Sequence, residues 1–204
     1  MNDAKTILEP LGGYLLDVAA KLRNDIFVPH SLTKLHNIAR VRARTGASTV
    51  IEVGSFRGVT TRRLSYLFDT VHSIEIDPTL CAEASKRCAD RRNVTLHCGD
   101  GKLILQQLAP KVGRCIGFLD GHFSGGATGQ GDEPEPVLAE LDTIGRHLPN
   151  FLGVVVDDFR EFGTQPGWPM KSQVMARLEQ VLPEPEWLHA VMHDQFVSIR
   201  RHRA

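Results

Sequence analysis

The chain has no long apolar run, no excess of either charge and no clustered metal-binding pattern, and each absence removes a class of function. No stretch approaches the length of a membrane span, and the start Asn2-Asp3-Ala4-Lys5 does not read as a signal peptide. Lys plus Arg number 24 and Asp plus Glu number 24, so no global field draws the chain to nucleic acid or an anionic membrane. Cys81, Cys88, Cys98 and Cys115 form no C-x-x-C pair, and no histidines stand at zinc-ligand spacing. These cysteines read as reduced, mostly buried thiols of a cytoplasmic protein. Internal repeats, low-complexity blocks and a dividing linker are missing too. The basic end Arg200-Arg201-His202-Arg203 reads as a solvated tail. The 204 residues therefore read as one domain, large enough to need no cross-links.

What is present is an alternation. Residues 3–25 carry Leu11, Leu15, Val18 and Leu22 at helical spacing, although Gly12-Gly13 weakens that helix. Pro29 ends the segment, and Ser31 is the expected N-cap of a second helix with Leu35, Ile38 and Ala39 facing inward. These helices, over residues 1–45, are expected to wall a substrate site or to meet a second copy in a homodimer. Beyond Gly46, apolar runs at 49–53, 71–76, 94–98, 115–119, 152–156 and 196–199 alternate with amphipathic segments. One such segment carries Val137, Leu141, Ile144 and Leu148 on one stripe. Runs such as Val154-Val155-Val156 are apolar on consecutive residues, so both faces of those strands are buried. The expected fold is α/β: a doubly wound, mostly parallel, Rossmann-like sheet. Its antiparallel edge is a hairpin over 187–200, turning near 192–194.

Ligands of open α/β sheets bind where strands end. The first run ends in Glu52-Val53-Gly54-Ser55-Phe56-Arg57-Gly58. Gly54 and Gly58 permit a tight turn and close backbone approach, with a helix N-terminus aimed at the same place. The spacing is E-x-G-x-x-x-G, not the G-x-G-x-x-G that cradles a pyrophosphate. Glu52 would repel a pyrophosphate and suits a cationic amino acid group. The second run ends in Glu75-Ile76-Asp77-Pro78. Glu75 stands where an acidic side chain holds a ribose diol, while Asp77 reads as an N-cap with Pro78 at the first helical position. After the third run, Gly99-Asp100-Gly101 could admit an adenine, or Asp100 could cap a helix.

This order of motifs resembles the class I S-adenosylmethionine (SAM)-dependent methyltransferases. Within them it is most similar to the metal-dependent small-molecule O-methyltransferases of the catechol and macrolide-sugar types. The resemblance spans roughly 31–200. It implies that Glu52, Gly54, Ser55 and Gly58 hold the methionine part of SAM, Glu75 the ribose, and Asp100 and Gly101 the adenine. The fourth run supplies Asp120-Gly121-His122 and the fifth Asp157-Asp158-Phe159. The family carries metal carboxylates at those two places, which implies Mg²⁺ on Asp120, Asp157 and Asp158. Neighbouring strand residues point to opposite faces, so Asp157 and Asp158 can share a ligand only if the chain leaves the strand there. The alternative is that Asp120 orders the glycine-rich loop 121–131 and Asp157 contacts SAM or a helix end.

The family's lysine base falls here on Phe123, and His122 is the nearest replacement. The expected activity is methyl transfer from SAM to a hydroxyl of a small-molecule acceptor, with His122 and Asp120 as catalytic residues. Loop 121–131 is the expected lid, and segment 160–168, with Trp168, Phe159 and Phe162, an expected substrate wall. The competing readings are a nicotinamide oxidoreductase, a metal-independent methyltransferase and a non-catalytic SAM-binding protein.

Overall fold

Consecutive apolar residues and helical stripes separate cleanly in space. The computed structural model describes residues 3–25, 28–121, 136–164 and 166–201. Two helices, α1 (Asp3–Leu22) and α2 (Ser31–Thr45), precede five βα units. These are β1 (Thr49–Val53), α3 (Val59–Leu67), β2 (Thr70–Glu75), α4 (Pro78–Arg87), β3 (Val94–Cys98), α5 (Gly101–Leu108), β4 (Cys115–Leu119), α6 (Val137–Arg146), β5 (Phe151–Val156) and α7 (Lys171–Val181). The chain closes with β6 (Trp187–Met192) and β7 (Gln195–Arg200).

The described strands form one seven-stranded sheet in the order β3-β2-β1-β4-β5-β7-β6. β1 to β5 are parallel, and β7 joins β5 antiparallel, with β6 paired outside it. The doubly wound sheet with a terminal hairpin is therefore as expected. Strand order reverses between β1 and β4, which marks the ligand crevice of such sheets. Register holds that edge level: Val53 lies opposite both Ile74 and Leu119, and Leu119 opposite Val156. One core, around Leu105, Leu141, Phe151 and Trp187, fills the face under α5 to α7. Another, around Ile38, Val50, Leu64 and Phe118, fills the face under α2 and α3.

Three local features extend or correct the sequence reading. The first helix turns its stripe outward: Leu15 is 64% and Leu22 83% exposed, while Asp17 and Ala20 are buried. The reason is Asp17, which accepts the His30 N–H at 2.8 Å and the Thr33 hydroxyl at 2.5 Å and so fixes the polar side of α1 on α2. Secondly, Ser31 is the first helical residue of α2, not its cap; His30 stands at the N-cap without a capping side chain. Asp17 of the neighbouring helix instead fastens this end from outside, through the His30 N–H and the Thr33 hydroxyl, while the Thr33 N–H turns to His30 O.

The third correction concerns the cysteines. Cys81 in α4 and Cys98 at the end of β3 form a disulfide, with Cα atoms 5.8 Å apart. Only Cys88 and Cys115 are free, and both are buried. The argument from reduced thiols to a cytoplasmic setting does not hold. No helix among the described residues is long and apolar enough to cross a membrane.

Candidate active site

The loop after β1 is built against its neighbours on both sides. Gly54 and Ser55 donate their N–H groups to Ile74 O at 2.9 and 3.0 Å. Gly54 has φ +92°, and a Cβ there would lie 2.2 Å from the Asp120 carbonyl oxygen. This loop therefore touches the chain leaving β4, at the point where strand order reverses. Gly58, also at positive φ, caps α3 and packs on Ala84 of α4.

Glu75 sits at the end of β2, almost fully buried. Its Oε2 accepts the Phe56 N–H at 2.7 Å and its Oε1 the Asp77 N–H at 3.0 Å. Burial lifts its carboxyl above the ordinary range, and the backbone N–H groups pull partly back. Each oxygen keeps a second lone pair, which is what a vicinal diol needs. Asp77 accepts from the Thr79 and Leu80 N–H groups, as an N-cap. Asp100 likewise caps α5 through the Leu103 N–H at 3.2 Å. Gly101 packs so tightly that a Cβ would meet Val53 Cγ1 at 2.6 Å.

Glu52 points into the interior rather than out of the loop. Its Oε2 accepts the hydroxyls of Thr61 at 2.6 Å and Ser73 at 2.5 Å, joining β1 to α3 and β2. Burial drives its carboxyl up to about 7 against those two hydrogen bonds. Its Oε1 and the Ser55 Oγ are buried and have no hydrogen-bond partner among the described residues. Orphaned polar atoms beside a glycine loop fit a polar ligand, because leaving them dry is costly.

Glu52→Gln is expected to stabilise the chain above neutral pH by about 3 kcal/mol. The native carboxyl titrates near 7 and the unfolded one near 4.5, so native Glu52 holds a proton that the unfolded chain has lost. Stability from this group is complete below the lower value and is lost as pH rises through the upper. Thermal melts on either side of that window should show a flatter pH dependence in the variant. An unchanged slope would refute the assignment.

At the ends of β4 and β5 the acidic residues converge. Asp158 has φ +44° and starts a 3-10 turn, so the chain does leave the strand there. Both Asp157 and Asp158 reach one group, but that group is Lys34 of α2. Its Nζ lies 2.7 Å from Asp157 Oδ1, is hydrogen-bonded to Asp158 Oδ1, and stands 3.7 Å from Asp194 Oδ2. Arg160 pairs with Asp158 at 3.2 Å and with Asp194. Burial alone would lower the Lys34 ammonium; Asp157 and Asp158 outweigh it and hold it above its ordinary range. Asp120 lies within electrostatic reach. Burial first, then the charges of Asp157 and Asp158, push its carboxyl well above the usual range.

The carboxylates expected to hold Mg²⁺ are thus together, yet as arranged they fit an ammonium. The place between Asp157 and Asp158 is filled by Lys34, and no group of three metal-capable side chains converges among the described residues. His122 and loop residues 122–131 lie outside the described residues. Within the expected substrate wall, Phe159 and Phe162 are core residues, packed with Phe196 and Trp168.

Sequence reasoning missed three residues here. Lys34 and Asp194 carry no local signal. Glu140 carries one: it is a carboxylate within the apolar stripe of α6. It is buried, with Oε1 3.4 Å from where a Gly101 Cβ would be and 3.6 Å from a Gly121 Cβ.

No protein-family model and no curated protein sequence matches the chain. Solved structures do. An O-methyltransferase from Bacillus cereus in complex with SAH is 16% identical, covering 98% of this chain and 93% of that one, at a TM-score of 0.62. The O-methyltransferase TomG from Streptomyces achromogenes, involved in tomaymycin synthesis and in complex with SAM, is 18% identical, covering 99% and 92%, at 0.60. A methyltransferase from Geobacter sulfurreducens is 14% identical, covering 92% and 87%, at 0.54. The chain therefore has the Rossmann-like methyltransferase fold.

Proposed function

We propose that the chain transfers a methyl group from SAM to a hydroxyl oxygen of a small-molecule acceptor. The observation that carries this reading is Glu75. Its carboxylate closes the end of β2 onto the loop after β1, beside the orphaned oxygens of Glu52 and Ser55. That arrangement offers a diol acceptor at the edge of one glycine turn, with the Ser55 Oγ beside it. The neighbours' complexes with SAH and SAM support the same ligand.

SAM, when bound, supplies an electrophilic methyl on a sulfonium that leaves as a neutral thioether. The chain's own work is then orientation and exclusion of water. Glu75 orients the ribose, and Gly54 and Gly101 let ligand and backbone approach closely. Asp100 and Glu140 border the adenine side. Lys34, Asp157 and Asp158 form the charged floor on which the acceptor hydroxyl lies. Mg²⁺ on Asp120, Asp157 and Asp158 is the alternative reading, favoured by the electrostatic reach of Asp157 and Asp158 to Asp120. The exposed stripe of α1 supports docking of a second copy, as a homodimer. The cytoplasmic setting loses its cysteine argument and is not carried forward.

Calorimetric titration with SAM, with Mg²⁺ and then with a chelator, tests the reading. Micromolar binding in both conditions supports it and justifies an acceptor screen of phenols and sugar hydroxyls. Absence of binding in either sinks it, and dinucleotides should then be tried.

A further inference from the structure

We propose that Lys34 is the resident cation of the carboxylate cluster, standing where the metal-dependent O-methyltransferases hold a divalent ion, so that this site excludes metal. The catalytic meaning of this inference rests on the methyltransferase reading; its test does not.

Lys34 is placed by the fold. α2 ends at Gly46 just before β1 begins, so its first turns overlie the carboxyl edge of the sheet. Two fastenings keep it there. Asp17 holds the helix start through the His30 N–H and the Thr33 hydroxyl. One turn beyond Lys34, Asn37 Nδ2 donates to Met192 O at 2.8 Å and to Gln195 Oε1 at 2.9 Å, on the β6–β7 turn. The lysine side chain is only 15% exposed, so its ammonium is not a surface group that swings in from solvent.

The electrostatics follow from this placement. Asp157 and Asp158 each give an oxygen to Nζ, and Asp194 is shared between Lys34 and Arg160. A divalent ion on the same oxygens would sit against a fixed ammonium in a half-buried site, where repulsion is poorly screened. It would also need bare carboxylates, whereas these are already hydrogen-bonded. An ammonium has three N–H donors. Two go to Asp157 and Asp158; Asp194 Oδ2, at 3.7 Å, is beyond hydrogen-bond distance, so the third can turn to an acceptor oxygen. Lys34 would thus supply the positive charge beside the developing nucleophile that a metal supplies elsewhere.

The experiment is titration with Mn²⁺, following the loss of its free-ion paramagnetic resonance signal. It uses the wild-type chain, Lys34→Met, and Lys34→Met combined with Asp157→Asn. Wild type is expected to leave the signal unchanged. Lys34→Met is expected to gain Mn²⁺ affinity by about tenfold or more, lost again in the double variant. Micromolar Mn²⁺ binding by wild type overturns the proposal. So does a folded Lys34→Met that gains nothing, since the lysine then excludes no metal. If Lys34→Met fails to fold, Lys34→Gln, which keeps a polar donor, takes its place under the same criteria. SAM titration of the same samples separates the questions: failure to bind SAM sinks the methyltransferase reading and leaves the metal result standing.

Discussion

Glu75→Ala is expected to weaken SAM binding by roughly 10²- to 10⁴-fold, the largest loss from any single side chain in the cleft. Hydrogen bonds to a charged acceptor contribute about 1.5–3 kcal/mol each, and a ribose diol makes two. The substitution also leaves the Phe56 N–H without its 2.7 Å acceptor, so the loop after β1 loses its fastening to β2. Calorimetry with SAM and SAH reads the first effect. Glu75→Gln, which keeps one acceptor oxygen and the side-chain volume, should lose less. Because burial holds the Glu75 carboxyl above the ordinary range, affinity should also begin to fall at a less acidic pH than for an exposed glutamate. Equal affinity in wild type and Glu75→Ala would remove the residue from the site.

Gly54→Ala is expected to destabilise the fold by more than about 4 kcal/mol, enough to leave little native chain. Two effects combine. Its φ of +92° disfavours any side chain, and the new Cβ would stand 2.2 Å from the Asp120 carbonyl oxygen and 2.6 Å from its carbon. Neither atom can swing aside, because Asp120 is anchored by its own N–H to Val53 O at 2.9 Å. Gly46→Ala is the control. It shares a positive φ, +66°, but a Cβ there meets nothing within 4 Å, so only the conformational cost of about 1 kcal/mol applies. Urea unfolding of the two variants measures the difference. Losses equal within error would show that the β1 and β4 loops do not press together as described.

The two predictions differ in how far the sequence alone leads to them. The place of Glu75 at the end of β2, just before a capped helix, was legible because strand, acidic residue and Asp-Pro cap follow one another in a short local order. The parallel sheet was legible for a related reason, since strands buried on both faces carry consecutive apolar residues. The outward stripe of α1 was not legible. Leu15 and Leu22 have helical spacing whichever way the helix faces, and the deciding contact is Asp17 with residues on another helix. Lys34 was hidden for the same reason: its partners Asp157 and Asp158 are more than 120 residues away. Nor could spacing show that Cys81 and Cys98 meet, because they stand 17 positions apart, across helix, turn and strand. The condition set for Asp157 and Asp158, that the strand must end between them, was a local rule, and the left-handed Asp158 meets it.

The Cys81–Cys98 bond also changes which part of the molecule opens first. β3 is an outermost strand with no fully buried residue, paired on one side only. Such a strand normally frays ahead of global unfolding, exposing its amides to exchange. The bond ties its last residue to the buried Cys81 in α4, and closing a loop of this length removes about 3 kcal/mol of freedom from the unfolded chain. Opening of β3 alone must then drag α4 with it. The amides of β3 should therefore exchange at the slow rate of α4 while the bond stands, and separately once a dithiol has cut it through the exposed Cys98. The margin of the cleft beside Asp100 becomes, in effect, a unit whose cohesion is set by the thiol balance of its surroundings.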